Sequence, residues 1–162
     1  MRKKLDALLE KILIVLMVLM VVDVVWQVAS RLLSKYLAGI ISLAPSTFTD
    51  EIAGFLLIWL GLLGAAYAAG KGQHLAIELL PNKLSPPKKK KLDIFINVLI
   101  VLFAASVMVI GGSHLVYLTF LLEQRSASLG IPLGYIYTCV PLSGLFITVY
   151  SLSNIRQLTL TE

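Results

Sequence analysis

Three polar side chains interrupt the first long apolar run of this chain at a spacing of four: Asp23, Gln27 and Arg31. On a helix that spacing puts them on one face, with Ser30 beside the stripe. A carboxylate, an amide and a guanidinium stacked in this way could hold a proton or a cation. They could equally fix a helix against its neighbour through buried hydrogen bonds. A carboxylate well inside a membrane span costs about 2.5–3.5 kcal/mol, so Asp23 calls for a partner or a proton. It is the one acid inside any of the apolar runs, whereas a coupled transport site gathers several converging ligands. The packing reading is therefore preferred, with Asp23 and Gln27 assigned to an interface with a partner subunit.

Other candidates are weaker. His74 and Glu78, four apart, could share a metal ion, but no third ligand is visible in the sequence. His114 follows Gly111, Gly112 and Ser113 in an apolar run, where a hydrogen bond between helices is the simpler use of an imidazole. The lone Cys139 has no partner for an internal disulfide. There is no nucleophile elbow, no phosphate-cradling glycine loop and no paired set of metal ligands. No catalytic residue, metal or cofactor is expected, and an enzyme is not the reading the residues favour. Asp50 and Glu51 lie in the first turn of an apolar helix, where acids suit the helix dipole. With Lys35 and Arg125 they also form the candidate docking charges for a soluble partner.

These side chains need elements to carry them, and composition says which. The 162 residues are 58% hydrophobic and 14% charged, with a mean hydropathy of +0.89. A soluble domain carries about 25% charged residues. Crossing a bilayer core of about 30 Å takes roughly 20 mostly apolar residues as helix, and lipid forces backbone groups to bond within the segment. Four stretches qualify, at about 12–30, 52–70, 94–122 and 131–152. The fold class is all-α: one integral membrane domain over 1–162 with four transmembrane helices and short interfacial helices. Leu32, Leu33, Tyr36, Leu37, Ile40 and Ile41 suggest one interfacial helix, and Leu75, Ile77, Leu79 and Leu80 another. Ser85 before Pro86 and Pro87 reads as a helix start. The first apolar run is too long for a cleaved signal peptide and carries Asp23 and Trp26 near its far end.

Orientation follows from the basic residues. Eleven Lys and Arg fall at the two termini and in the connection 71–92, against three on the opposite side, namely Arg31, Lys35 and Arg125. Both termini are expected in the cytoplasm. Lys88, Lys89, Lys90 and Lys91 oppose the dipole of the helix they begin, and make sense as an anchor beside anionic headgroups. The balance of charge follows topology and gives no reason to expect nucleic acid.

Within the second span, Gly61, Ala65 and Ala69 recur every four residues, a spacing that lets helix backbones approach closely. Trp59 flanks that face, and the four are assigned to the same partner interface. Pro141 should kink the fourth span and free the carbonyl of Tyr137 for Thr138 or a neighbouring helix.

The stretches Trp26–Gln27–Val28 to Arg31, Phe48–Thr49–Asp50–Glu51, Trp59 through Gly64–Ala65–Ala66–Tyr67, Lys71 to His74, and Ile131–Pro132 to Pro141–Leu142 resemble, in order and spacing, one family. It is the four-helix small membrane subunit of tripartite ATP-independent periplasmic transporters, and the chain looks most like the member of a sialic-acid system. The resemblance implies a bacterial inner-membrane location and two protein partners, a large multispanning subunit and a periplasmic solute-binding protein. The large subunit would hold the carboxylate-bearing solute and the sodium ions; the small one would brace it and help to dock the binding protein. The competing reading is a small cation-coupled antiporter of the multidrug-exporter type using Asp23. Such chains are shorter, and the lysine bias argues against the dual topology they adopt.

Overall fold

The computed structural model describes residues 2–36, 48–71 and 86–160. The expected groups at His74 and Glu78, at 75–80, at Ser85 and at 37–41 lie outside these. α1 runs over Arg2–Tyr36 without a break, about 52 Å at 1.5 Å per residue. It outruns the expected span at both ends, so Leu32, Leu33 and Tyr36 extend α1 and do not begin a separate interfacial helix. Apolar residues fill every face of its middle, and nothing there stops the helix. α2 spans Phe48–Gly70, with Asp50 and Glu51 in its first turn as expected.

The third crossing is one rod in three parts. α3 covers Pro86–Phe103, a π-helical segment covers Ala104–Gly111, and α4 covers Gly112–Leu121. The sequence led us to expect an unbroken α-helix. The wider winding falls where the rod meets the fourth crossing closely: a Cβ on Gly144 would lie 2.6 Å from Met108 Cβ, and one on Gly112, just past the segment, would lie 2.9 Å from Val140. π-turns inside helices are rare and mark positions of special packing or function.

α4 ends in a Schellman arrangement, the Gln124 amide bonding the Thr119 carbonyl and the Glu123 amide bonding the Phe120 carbonyl. Glu123 takes the left-handed conformation there, φ 47°, a position that favours glycine. A short hairpin follows, pinned by an isolated bridge between Arg125 and Pro132. Residues 131–133, expected at the start of the fourth span, belong to this hairpin instead. The fourth crossing begins with α5, Gly134–Tyr137, and continues as α6, Cys139–Leu160. The interruption, at Thr138, falls three residues ahead of Pro141, which has no amide hydrogen to offer the Tyr137 carbonyl. The Thr138 hydroxyl bonds the Tyr135 carbonyl at 2.6 Å, not that of Tyr137 as expected.

Four helices are long and apolar enough to cross a membrane, and the described residues contain no strand. α6 is the hub, packing on α2, α3, the π segment and α4, whereas α1 packs chiefly on α2. A cluster of Leu9, Leu63 and Tyr150 forms the core at the end that carries both termini.

Candidate functional site

At the end opposite the termini, the polar stripe of α1 meets the first turn of α2. The Arg31 guanidinium donates to both carboxylate oxygens of Asp50, at 2.8 and 2.9 Å, and the Gln27 amide donates to the same carboxylate. The four-residue period of α1 aims both donors at one acceptor, and the first turn of α2 holds that acceptor still. Ser30 and Ser34 bond back to the carbonyls of Gln27 and Arg31. Asp23 lies one turn deeper on the same face. Its Oδ2 is occluded and has no hydrogen-bond partner among the described residues. Gln27 and Arg31 therefore act together on Asp50, as expected of the stripe.

The next residue of α2 performs a second tie. Glu51 accepts from the Ser126 hydroxyl and from the Ser128 amide at 3.1 Å, which holds the 122–133 hairpin against α2. The Ser126 hydroxyl accepts in turn from the Leu129 amide at 3.1 Å. Sequence reasoning placed Asp50 and Glu51 at a helix start with docking as a further use. Both lie in that first turn, and both carboxylates are also engaged in cross-links within the chain, Asp50 to α1 and Glu51 to the hairpin. Of the other docking candidates, Lys35 is exposed in the last turn of α1. Arg125 is exposed on the hairpin, with one nitrogen 3.4 Å from the Gly130 carbonyl.

The small-residue face of α2 divides. Ala66 and Ala69 are buried within the chain, while Gly61 and Ala65 are exposed. A Cβ on Gly61 or Gly64 would meet open space. Trp59 packs on the Leu9, Leu63 and Tyr150 core, so its ring serves the chain's own interior as well as flanking the open face. Ala65 and Ala69 also line an apolar cleft with Leu99, Ile100, Phe103, Met108 and Ile147. His114 is exposed on α4, and no interhelical bond of its ring is seen among the described residues. Lys89 and Lys91 are exposed at the start of α3 and Lys90 is half-buried.

Several residues of consequence escaped the sequence reading. The Tyr150 hydroxyl donates to Asp6 at 2.6 Å, joining α6 to α1 at the end of the termini. Asn97 is buried on α3 and bonds the Asp93 carbonyl. Ser143 and Ser151 are fully buried on α6. A tyrosine and two serines in a span of low apolar contrast were the available signal, since polar residues in membrane helices tend to face protein. Among the described residues no group of three His, Cys, Asp or Glu is placed to hold a metal ion.

Four apolar helices joined by polar ties, with part of the small-residue face of one left open, describe a membrane component built to pack. The chain belongs to the DctQ component family of the tripartite ATP-independent periplasmic transporters, whose family model matches residues 20–161. This is the family expected from the five stretches above. The chain is 24% identical to the sialic acid TRAP transporter small permease protein SiaQ of Vibrio cholerae, over 98% of this chain and 85% of the relative. It is 29% identical to a putative TRAP transporter small permease protein of Haemophilus influenzae, over 67% of this chain and 66% of that one. Identity to the C4-dicarboxylate TRAP transporter small permease protein DctQ of Rhodobacter capsulatus is 24%, over 59% and 41% of the two. It is thus a small permease subunit of the inner membrane and not an enzyme. Subunits of this kind work with a large permease subunit and a periplasmic binding protein.

Proposed function

We propose that this subunit is the stationary brace of an ion-gradient-driven uptake system for a carboxylate solute, sialic acid being the first to test. The observation that carries the reading is the placement of polarity. The charged side chains at the loop end tie α1, α2 and the hairpin to one another. The middle of α1 and the Gly61 end of the small-residue face of α2 are left apolar and exposed, as a surface for another membrane protein would be. Solute and sodium are then bound by the large subunit. Lys35 and Arg125, exposed at the loop end, meet the periplasmic binding protein. Charges of that kind set encounter rate and salt dependence more than final affinity. This arrangement needs both termini in the cytoplasm, in keeping with the bias of eleven basic residues to three.

The test is uptake into proteoliposomes with the binding protein present. Sodium-driven sialic-acid uptake should require the large and the small subunit together. Uptake by the small subunit alone would overturn the brace reading, and uptake of C4-dicarboxylates in place of sialic acid would replace the substrate. A cysteine at Ser128 should be labelled from the periplasm in intact cells and one at Lys89 should not; the reverse pattern would invert the topology.

A further inference from the structure

The apolar cleft between α2, α3 and α6 opens on the face of α3 that begins at Lys89. Its volume is about 480 Å³, within the range of ordinary small-molecule sites. On α3 the residues Lys89, Leu92, Ile96, Leu99 and Phe103 follow one another at steps of three and four, so they form one continuous face of the helix. Leu99 and Phe103 line the cleft, Leu92 and Ile96 are half-buried beneath it, and Lys89 is exposed at the bottom. Ten residues separate Lys89 from Leu99, a rise of about 15 Å. That matches the depth of one leaflet, half of a hydrocarbon core of about 30 Å. Across the cleft the wall is made of Ala65 and Ala69, which are too small to fill it.

We propose that this face is a binding site for a single anionic phospholipid, its headgroup on Lys89 and one acyl chain running up the ladder into the cleft. An acyl chain suits the cleft because every side chain that lines it is apolar. The charge of the lipid follows from the lysine, placed one leaflet below the cleft and on the same face. Lys91 begins the same helix but lies on another face, so the site distinguishes Lys89 from Lys91. The site goes beyond the brace reading and stands on this chain's own geometry whatever solute the system carries.

The experiment is native mass spectrometry of the full chain, with its larger membrane partner where the two copurify. The protein is titrated with phosphatidylglycerol or phosphatidylcholine. One lipid should be retained, with phosphatidylglycerol preferred about fivefold, the ratio equivalent to roughly 1 kcal/mol for one lysine near the surface. Lys89→Gln should bring the preference close to parity while Lys91→Gln leaves it, and Ala65→Phe should lower retention of both lipids by filling the cleft. Circular dichroism of each variant establishes that the helices persist. Equal effects of Lys89→Gln and Lys91→Gln would mean diffuse attraction to a charged surface and would overturn the site. So would unchanged retention in Ala65→Phe. If Ala65→Phe released the partner subunit and kept the lipid, the cleft would belong to a protein helix and the proposal would fail.

Discussion

α1 and α6 are both membrane helices, yet they obey opposite rules of burial. The α1 crossing has a mean hydropathy of 2.6 over its most apolar window, and the α5–α6 crossing only 1.4. In a water-soluble protein the more apolar of the two would occupy the core. Here α1 shows its valines and methionines outward, with Val22 and Val25 about 60% exposed, and Leu9 is its only fully buried residue among those described. The less apolar α6 takes the centre and buries Cys139, Ser143, Gly144, Tyr150 and Ser151. Lipid is as apolar as leucine, so burying valine against protein gains little from the hydrophobic effect. Association rests on close backbone approach and interhelical hydrogen bonds instead. Small and polar residues therefore mark the hub, and apolar length marks only the crossing.

The sharpest way to break this comparison is to give the hub a side chain it has no room for. Gly144→Val would place its Cβ 2.6 Å from Met108 Cβ and 3.2 Å from the Val109 amide nitrogen. Neither atom is the movable end of a side chain. Overpacking of this kind costs about 1–3 kcal/mol and sometimes more, and we expect the upper part of that range. Thermal unfolding of the purified protein in detergent should show a large fall in midpoint. The matched change on the exposed helix, Val22→Ala, should alter the chain's own stability by less than about 0.5 kcal/mol. A larger loss from Val22→Ala than from Gly144→Val would reverse the assignment of hub and rim. A loss seen only when the large subunit is present would show that α1 is covered by it.

The next effect is smaller and concerns how α1 stays attached. One face of it packs on α2, with Ile12, Leu13 and Leu16 against the Leu9, Leu63 and Tyr150 core, and its polar tie at the loop end is Asp50. Asp50→Ala leaves the Arg31 guanidinium and the Gln27 amide without their common acceptor. Stranding such donors costs about 1–3 kcal/mol. With the ion pair half-exposed, 57% and 51% on its two sides, the lower end of that range is expected. The swap of Arg31→Asp with Asp50→Arg should recover part of the loss in a double-mutant cycle. Full additivity of the two single changes would mean that the pair contributes nothing.

Much of this architecture was legible because the bilayer makes length decisive. Four crossings could be counted from the sequence, and the acids of the first turn of α2 and the interruption ahead of Pro141 could be placed. The polar face of α1 was legible too, since spacing four fixes a face whatever the helix meets. Its partner was not, because Asp50 reaches Gln27 and Arg31 only once two helices lie side by side. The π segment at Ala104–Gly111 carries no local signal, arising where α6 presses its backbone at Gly144 against the rod. Residues 131–133 read as the start of a span because they are apolar. The hairpin claims them through the Leu133 amide, which bonds the Gln124 carbonyl, and through the Ile131 carbonyl, which accepts from Ser126.

The smallest expected effect tests the other attachment of α1, where hub and rim meet directly. Tyr150 is 1% exposed and Leu9 is fully buried, and the Tyr150 hydroxyl donates to Asp6 at 2.6 Å. Two contributions meet in this one side chain, the ring that fills the core and the hydroxyl that holds α1. Tyr150→Phe removes the second and keeps the first. A single hydrogen bond of this kind contributes about 0.5–1.5 kcal/mol, or somewhat more to a charged acceptor, and Asp6, near the helix end, can turn to water in compensation. The stability loss should therefore fall near 1 kcal/mol. Tyr150→Ala removes the ring as well and should cost about 3–5 kcal/mol, as other large-to-small changes in cores do. The two variants separate the roles: packing holds α6 at the centre, and the hydroxyl sets where α1 begins. Asp6→Asn keeps an acceptor for the phenol and should cost less than Tyr150→Phe. If Asp6→Asn proved the more damaging of the two, the charge of Asp6 would serve something other than Tyr150, and α1 would have an attachment at this end independent of the hub.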